Sequence, residues 1–260
     1  MRILFIGDVV GRPGRTCVAR WVPELRSEFE IDLVVANGEN AAGGLGATPD
    51  TLKELFAAGV QAITLGNHTW KKKDLAPALD SFSQVVRPAN YPAGVPGKGS
   101  TVVEVGEGRR VGIINLLGRI YMEPFGCPFE SARREIERMR GQAAVIVVDM
   151  HAEATSEKIA MGWFLDGRCA AVVGTHTHVQ TADERILPNG TAYITDVGMT
   201  GPRDSVIGME REHVLHRFLT GMPREFKVAK GPTILSAVLI DADETTGKAR
   251  EISRVIKTSE

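Results

Sequence analysis

Five short apolar runs in this 260-residue chain each stop at a cluster of acids, amides or imidazoles, and that recurrence constrains the fold more than any other feature. Arg2–Ile6 is followed by Gly7-Asp8, Asp32–Ala36 by Asn37-Gly38-Glu39-Asn40, and Ala62–Leu65 by Gly66-Asn67-His68. Ala144–Val148 runs into Asp149-Met150-His151, and Ala170–Val173 into Gly174-Thr175-His176-Thr177-His178. Apolar runs of this length are strands covered on both faces. Further strands are expected at Arg110–Asn115, Ala192–Thr195 and Thr233–Ile240, the last paired with Ala249–Ile256 around the acidic turn Asp241–Gly247. Helical patterns at Arg15–Phe29, Pro49–Ala58, Ser131–Arg140, Ser156–Asp166 and Glu210–Phe218 alternate with them, and Pro13 suits a helix start. The alternation predicts a layered α/β domain, with its site where the carboxyl ends of the strands meet.

The mixture at that rim points to metal chemistry. Hard and borderline divalent cations accept carboxylate or amide oxygen together with imidazole nitrogen. One carboxylate can bridge two such ions, which then act jointly on a phosphoryl group. The glycines ahead of Asp8, Glu39, Asn67 and His176 are expected to let the backbone turn tightly, aiming the next side chains into the site. Each residue has a plainer reading by itself: Asp8 as a helix cap, Asn40 and Asn67 as turn formers, His151 as a satisfied interior histidine. Four of six histidines at strand ends beside acids or amides make the joint coincidence improbable. His213 and His216, three apart on one predicted helix, have no carboxylate loop aimed at them and read as structural or surface residues.

Bulk properties exclude several classes. With 43% hydrophobic and 24% charged residues the chain can bury its own core as one domain spanning 1–260. A net charge of −1 argues against broad nucleic-acid binding. Cys17, Cys127 and Cys169 are too scattered for a disulfide framework or a zinc ribbon, and read as small hydrophobes in a reducing compartment. No apolar run reaches membrane-spanning length, and Met1–Ile6 is too short for a signal peptide, so a cytoplasmic protein is expected. The Gly- and Pro-rich segments 87–100 and 198–230 are candidates for a lid or small cap.

Taken in order, Gly7-Asp8, Gly38-Glu39-Asn40, Gly66-Asn67-His68, His151 and Gly174-Thr175-His176-Thr177-His178 resemble the blocks of calcineurin-like metallophosphoesterases. Within that superfamily the chain is most similar to the YmdB-like branch of bacterial 2′,3′-cyclic-nucleotide phosphodiesterases. The phrases that carry this are Gly7–Gly14, Asn37–Ala42, Arg87–Pro92 and Asp196–Gly201. The resemblance implies an α/β/β/α architecture, a β-sandwich flanked by helices. It implies one metal held by Asp8, Glu39, Asn40 and His178, and a second held by Glu39, Asn67, His151 and His176, with Glu39 bridging. A hydroxide held between the metals would attack, and His68 would be the general acid that protonates the leaving ribose oxygen. Three positions depart from the wider superfamily: Val10 where a histidine is usual, Glu39 where aspartate is usual, and Thr69 after His68 where an acid is usual. The branch shares these changes. An oxygen-rich ligand set favours iron or manganese, with zinc as the alternative.

Tyr91, Tyr121 or Phe125 is expected to border the site and stack on a base, and Arg203 to touch phosphate. The expected partner is a small nucleotide phosphodiester, and a homo-oligomer is plausible because symmetric assemblies are common. Three rival functions follow: a phosphomonoesterase or nucleotidase on the same dinuclear centre, a regulatory nucleotide- or RNA-binding scaffold without catalysis, and a dinucleotide-binding module. The last fails on spacing, because Gly7–Gly14 is not Gly-x-Gly-x-x-Gly and Asp8 would face a pyrophosphate of like charge.

Overall fold

The structure is a computed structural model, and it describes residues 1–106 and 108–260. In chain order the first elements are β1 (Arg2–Ile6), β2 (Asp8–Val9), α1 (Gly11–Glu28), β3 (Leu33–Asn37), α2 (Pro49–Ala57) and β4 (Ala62–Thr64). Next come α3 (Leu75–Ala78), a 3₁₀ turn at Leu79–Ser81, β5 (Val85–Val86), β6 (Ser100–Glu104), β7 (Arg110–Leu117), α4 (Pro128–Met139), β8 (Val145–His151) and α5 (Thr155–Leu165). The remainder is β9 (Ala171–Thr175), β10 (Arg185–Ile186), β11 (Ala192–Ile194), β12 (Met199–Pro202), α6 (Arg211–Thr220), β13 (Thr233–Ala242) and β14 (Ala249–Ser259).

The strands form two sheets. One runs β2-β12-β13-β1-β3-β4-β5, with β14 also paired to β13; the other runs β10-β11-β9-β8-β7-β6. In the first, β1, β3, β4 and β5 are mutually parallel; in the second, β7, β8, β9 and β11 are. Parity along each strand explains the layering, because alternate side chains leave opposite faces. Ile3 and Phe5 of β1, Leu33 and Val35 of β3, Val111 and Ile113 of β7, and Val145 and Val147 of β8 share one core between the sheets. Leu4, Ile6, Val34 and Ala36 instead pack outward against Val18, Val22 and Leu25 of α1 and Leu52 and Leu55 of α2. On the far side Ile114, Ile146 and Val148 pack against Ala132, Ile136 and Met139 of α4 and Met161 and Leu165 of α5. The result is α/β/β/α, with the expected sandwich and its flanking helices both present.

The differences from the sequence reading are local. Helix α1 starts at Gly11 rather than Arg15, since Pro13 lies in the first turn, where a missing N–H costs nothing. Residues 145–151 form one continuous strand, so His151 closes β8 rather than sitting on a loop after it. Met199–Pro202, expected to be irregular, is the strand β12, which pairs with both β2 and β13. Helix α2 begins as its sequence suggests, on a capping box between Thr48 and Thr51 with Pro49 at the first position. No helix among the described residues is long and apolar enough to cross a membrane.

Candidate metal centre

The carboxyl ends of β1, β3, β4, β8 and β9 meet at one rim, and their polar clusters converge there. Glu39 is at the middle, 1% exposed. Its Oε2 accepts the His68 backbone N–H at 2.9 Å, while Oε1 lies 3.3 Å from His151 Nε2, 3.3 Å from His68 Nδ1 and 3.1 Å from Asn40 Nδ2. On one side of it His151 Nε2 stands 2.9 Å from Asn67 Oδ1 and 3.1 Å from His176 Nδ1. On the other, His178 Nε2 stands 3.6 Å from Asp8 Oδ1 and 3.3 Å from Asn40 Nδ2. Two lobes thus share one carboxylate. Separations near 3 Å are those of neighbouring donor atoms around a cation whose bonds are about 2.1 Å long.

The donor chemistry fits a metal. Each of the three imidazoles has its outer nitrogen tied to an acceptor and its inner nitrogen turned into the cluster. His151 Nδ1 donates to Thr175 Oγ1 (2.8 Å), whose own hydroxyl donates to Asp149 Oδ1 (2.7 Å). His176 Nε2 faces the Glu153 carboxylate at 3.0 Å, and His178 Nδ1 donates to the Ile207 carbonyl at 3.0 Å. Such partners fix the tautomer and leave a lone pair for a metal. Asp8 is wholly buried; Oδ2 accepts the His176 N–H (3.1 Å), but Oδ1 has no hydrogen-bond partner among the described residues. A buried carboxylate oxygen left in that condition calls for a cation. Glu39, His151 and His176 by themselves bring ligand atoms within 4.8 Å of one another.

The electrostatics are those of a tightly packed acid–imidazole nest. Burial pushes the Asp8 carboxyl up, with His178 and His151 partly opposing it. Burial also works against the Glu39 charge, but the His151 and His68 imidazoles outweigh it and hold that carboxyl well below the usual range. His151 is desolvated too, yet Glu39, then Asp8 and Asp149, raise it to about 9. His176 is lowered to about 3, by burial first and then by its neighbour His151. Burial raises Asp149 to about 6.

Two expectations about local geometry change. Gly66 and Gly174 do not have positive φ; the left-handed residues are His176 (φ 98°) and His178 (φ 65°) themselves. The glycines serve by lacking a Cβ, which at Gly66 would sit 2.4 Å from Glu39 Oε2 and at Gly174 1.7 Å from the Thr195 carbonyl oxygen. The second change is at Asn40, whose amide turns its nitrogen to Glu39 and His178 and its oxygen to His68 Nδ1 (2.7 Å).

All seven residues expected as ligands, and His68, are in this cluster. Tyr91 lies beneath it, buried, donating its hydroxyl to the Gly66 carbonyl (3.0 Å), with its ring edge against Phe125. Arg203 pairs with Asp204, and no hydrogen bond or ion pair among the described residues joins it to the cluster. His213, on α6, faces Glu210, the residue just before that helix. Sequence reasoning gave no role to Asp149, Thr175, Glu153 or Asn37. Asp149 had a signal, since it precedes His151 by two on a strand and shares its face.

With the geometry in place, relatives decide the family. A model of the YmdB-like protein family matches residues 4–255. The chain belongs to the YmdB-like family. It is 53% identical over 256 residues to the 2′,3′-cyclic-nucleotide 2′-phosphodiesterase of Bacillus subtilis strain 168, covering 98% of this chain and 97% of that one. A crystal structure of a protein from Thermus thermophilus superposes with a TM-score of 0.94 at 45% identity, covering all of both chains. Another, described as a novel phosphatase from Mycoplasma pneumoniae, gives 0.92 at 38%, covering 99% of this chain and 93% of that one. Both structures share the two-sheet α/β architecture of this chain.

Proposed function

We propose that this YmdB-like chain is a dinuclear metal-dependent phosphodiesterase that opens 2′,3′-cyclic nucleotides at the 2′-ester, giving 3′-nucleotides. The observation that carries the reading is the pair of lobes bridged by Glu39, every imidazole already oriented by an outer acceptor. The Bacillus subtilis relative, a 2′,3′-cyclic-nucleotide 2′-phosphodiesterase, supports that substrate class. Asp8, Glu39, Asn40 and His178 would hold one cation, and Glu39, Asn67, His151 and His176 the other. Divalent cations in such a nest supply charge to neutralise phosphoryl oxygens and acidity to make a nucleophile of water near neutral pH. Four of the seven ligands offer oxygen, which favours iron or manganese over zinc.

We read His68 as the general acid. Its backbone N–H anchors on Glu39, and its Nδ1 donates to Asn40 Oδ1 and faces Glu39 Oε1, so Nε2 is the free nitrogen, which in the imidazolium form gives its proton to the departing 2′-oxygen. A half-turn of the Asn40 amide exchanges its oxygen and nitrogen. It would then offer oxygen to the His178 side and N–H to His68 Nδ1, which puts the single proton of a neutral imidazole on Nε2. In the same reading the enzyme works in the cytoplasm, segments 87–100 and 198–230 border the substrate path, and the chain assembles with copies of itself.

The test is turnover of each 2′,3′-cyclic mononucleotide with identification of the product isomer. The 3′-nucleotide is expected; Asp8→Asn and His68→Ala should abolish turnover, and His68→Ala should keep its metal. A second reading, phosphomonoesterase, is favoured by the description of the Mycoplasma structure as a phosphatase. Faster cleavage of an aryl monoester than of the matching diester would select it.

A further inference from the structure

Two wholly buried charges lie just outside the cluster. Lys158, on α5, and Asp196, two residues past the end of β11, are both 0% exposed, and Nζ meets Oδ2 at 2.7 Å. Removing two charges from water is expensive, and a buried ion pair is weak evidence for stability, because packed apolar side chains of equal volume often serve as well. What distinguishes this pair is what else the carboxylate holds. Asp196 Oδ2 also accepts the Thr177 backbone N–H (3.1 Å) and the Thr177 hydroxyl (2.7 Å), while Oδ1 accepts the Gly198 N–H (2.7 Å).

Thr177 is the residue between the two histidines of the cluster. His176 and His178 both sit at positive φ, a conformation that costs energy outside glycine and persists only where surrounding structure fixes it. Their outer nitrogens are held by Glu153 and Ile207, which orient the rings; the backbone between them is held by Asp196. The stem of Lys158 passes beside Gly174, two residues before His176, where an added Cβ would lie 2.9 Å from Lys158 Cδ.

We propose that Asp196 is a positioning residue for the metal centre: acting through Thr177, it holds the His176–His178 turn so that Nδ1 of one and Nε2 of the other point into the two lobes, and Lys158 makes its burial tolerable. Among the described residues, neither side chain makes a hydrogen bond or ion pair with a ligand side chain; Lys158 meets only Asp196, and the Asp196 carboxylate meets Lys158, Thr177 and Gly198. The inference rests on the dinuclear reading above. It ties helix α5, which contributes no ligand, to the shape of the site.

The test uses the full chain and four proteins: wild type, Asp196→Asn, Thr177→Val and Val22→Ala. Val22 is a core residue of α1 and serves as a control for general destabilisation. Mn²⁺ affinity is read by chelator competition, and ligand geometry by the visible spectrum of the Co²⁺ form. Asp196→Asn should weaken Mn²⁺ binding about 10–100-fold, the range seen when a partner of a ligand is removed, and shift the Co²⁺ bands. Thr177→Val should move both in the same direction by less. Val22→Ala should lower the melting temperature and leave both unchanged. Wild-type affinity and spectrum in both Asp196→Asn and Thr177→Val overturn the proposal, whatever their melting temperatures. If Asp196→Asn does not fold, Thr177→Val alone decides. Wild-type protein that binds no Mn²⁺ or Co²⁺ overturns the dinuclear reading first and this inference with it.

Discussion

Gly66→Ala should damage the metal centre without damaging the fold. A Cβ at this position would lie 2.4 Å from Glu39 Oε2 and 2.5 Å from both Nε2 and Cδ2 of His151, where ordinary contact starts near 3.4 Å. Either the methyl or both side chains must give way by about 1 Å, several times the roughly 0.2 Å tolerance of a metal–ligand distance. Neither neighbour has room, since Glu39 is 1% exposed and His151 fully buried, and Glu39 is already bonded to the His68 N–H. The φ of Gly66 is not in the left-handed region, so alanine adds no backbone strain there. The expected loss is at least that of a removed ligand partner, about 10–100-fold in affinity. That corresponds to about 1.4–2.8 kcal/mol at 1.4 kcal/mol per factor of ten. Overpacking should cost the metal-free protein about 1–3 kcal/mol, which the domain survives. Chelator competition with Mn²⁺, beside a thermal melt, measures both. Wild-type affinity in a folded Gly66→Ala protein would refute the placement of Glu39 and His151 as adjacent ligands.

Glu153→Gln removes the carboxylate that orients His176 from a half-exposed position; Mn²⁺ affinity should fall about 10-fold by the same competition assay, with the melting temperature nearly unchanged. Because His151 is raised to about 9 in the metal-free protein, metal uptake at pH 7.5 should release protons, and affinity should climb with pH until about 9. The sign for stability is opposite: the gain from the His151–Glu39 pair is complete below about 6.5 and is lost as pH rises through 9. Calorimetry in buffers of different ionisation enthalpy reads the proton release; no dependence on buffer would contradict it. Burial pushes the Cys169 thiol up to about 12, so alkylation of the native protein at pH 8 should mark the half-exposed Cys127 and spare Cys169, as peptide mapping would reveal.

Much of the fold was legible because its central strands are apolar on both faces and each ends abruptly in polar residues. Val34 and Val35, which point to opposite sides of the sheet, are both fully buried, and no alternation was needed to see the strand. The strands of two to four residues at Asp8–Val9, Val85–Val86, Arg185–Ile186 and Met199–Pro202 were not legible, because a period cannot be read over so few positions. At the site, ligand residue types announce themselves, whereas their supports do not. Asn37 reaches Asp149 across 112 positions of chain, and Asp196 stands out in sequence only as part of a family phrase, with nothing there to tie it to Thr177. Their roles exist only once distant backbones are side by side. Tyr91 illustrates the converse: an aromatic in a Pro-rich segment reads as a surface platform, but the Gly66 carbonyl gives its hydroxyl a buried partner, and the ring is covered.

The central claim is that Glu39 lies between two cation positions. Anomalous scattering from crystals of Mn²⁺-loaded protein tests it directly. Two peaks about 3.5–4 Å apart are predicted, one beside Asp8 and His178, the other beside His151 and His176, with the Glu39 carboxylate between them. A single peak, no peak, or a pair away from Glu39 would contradict it.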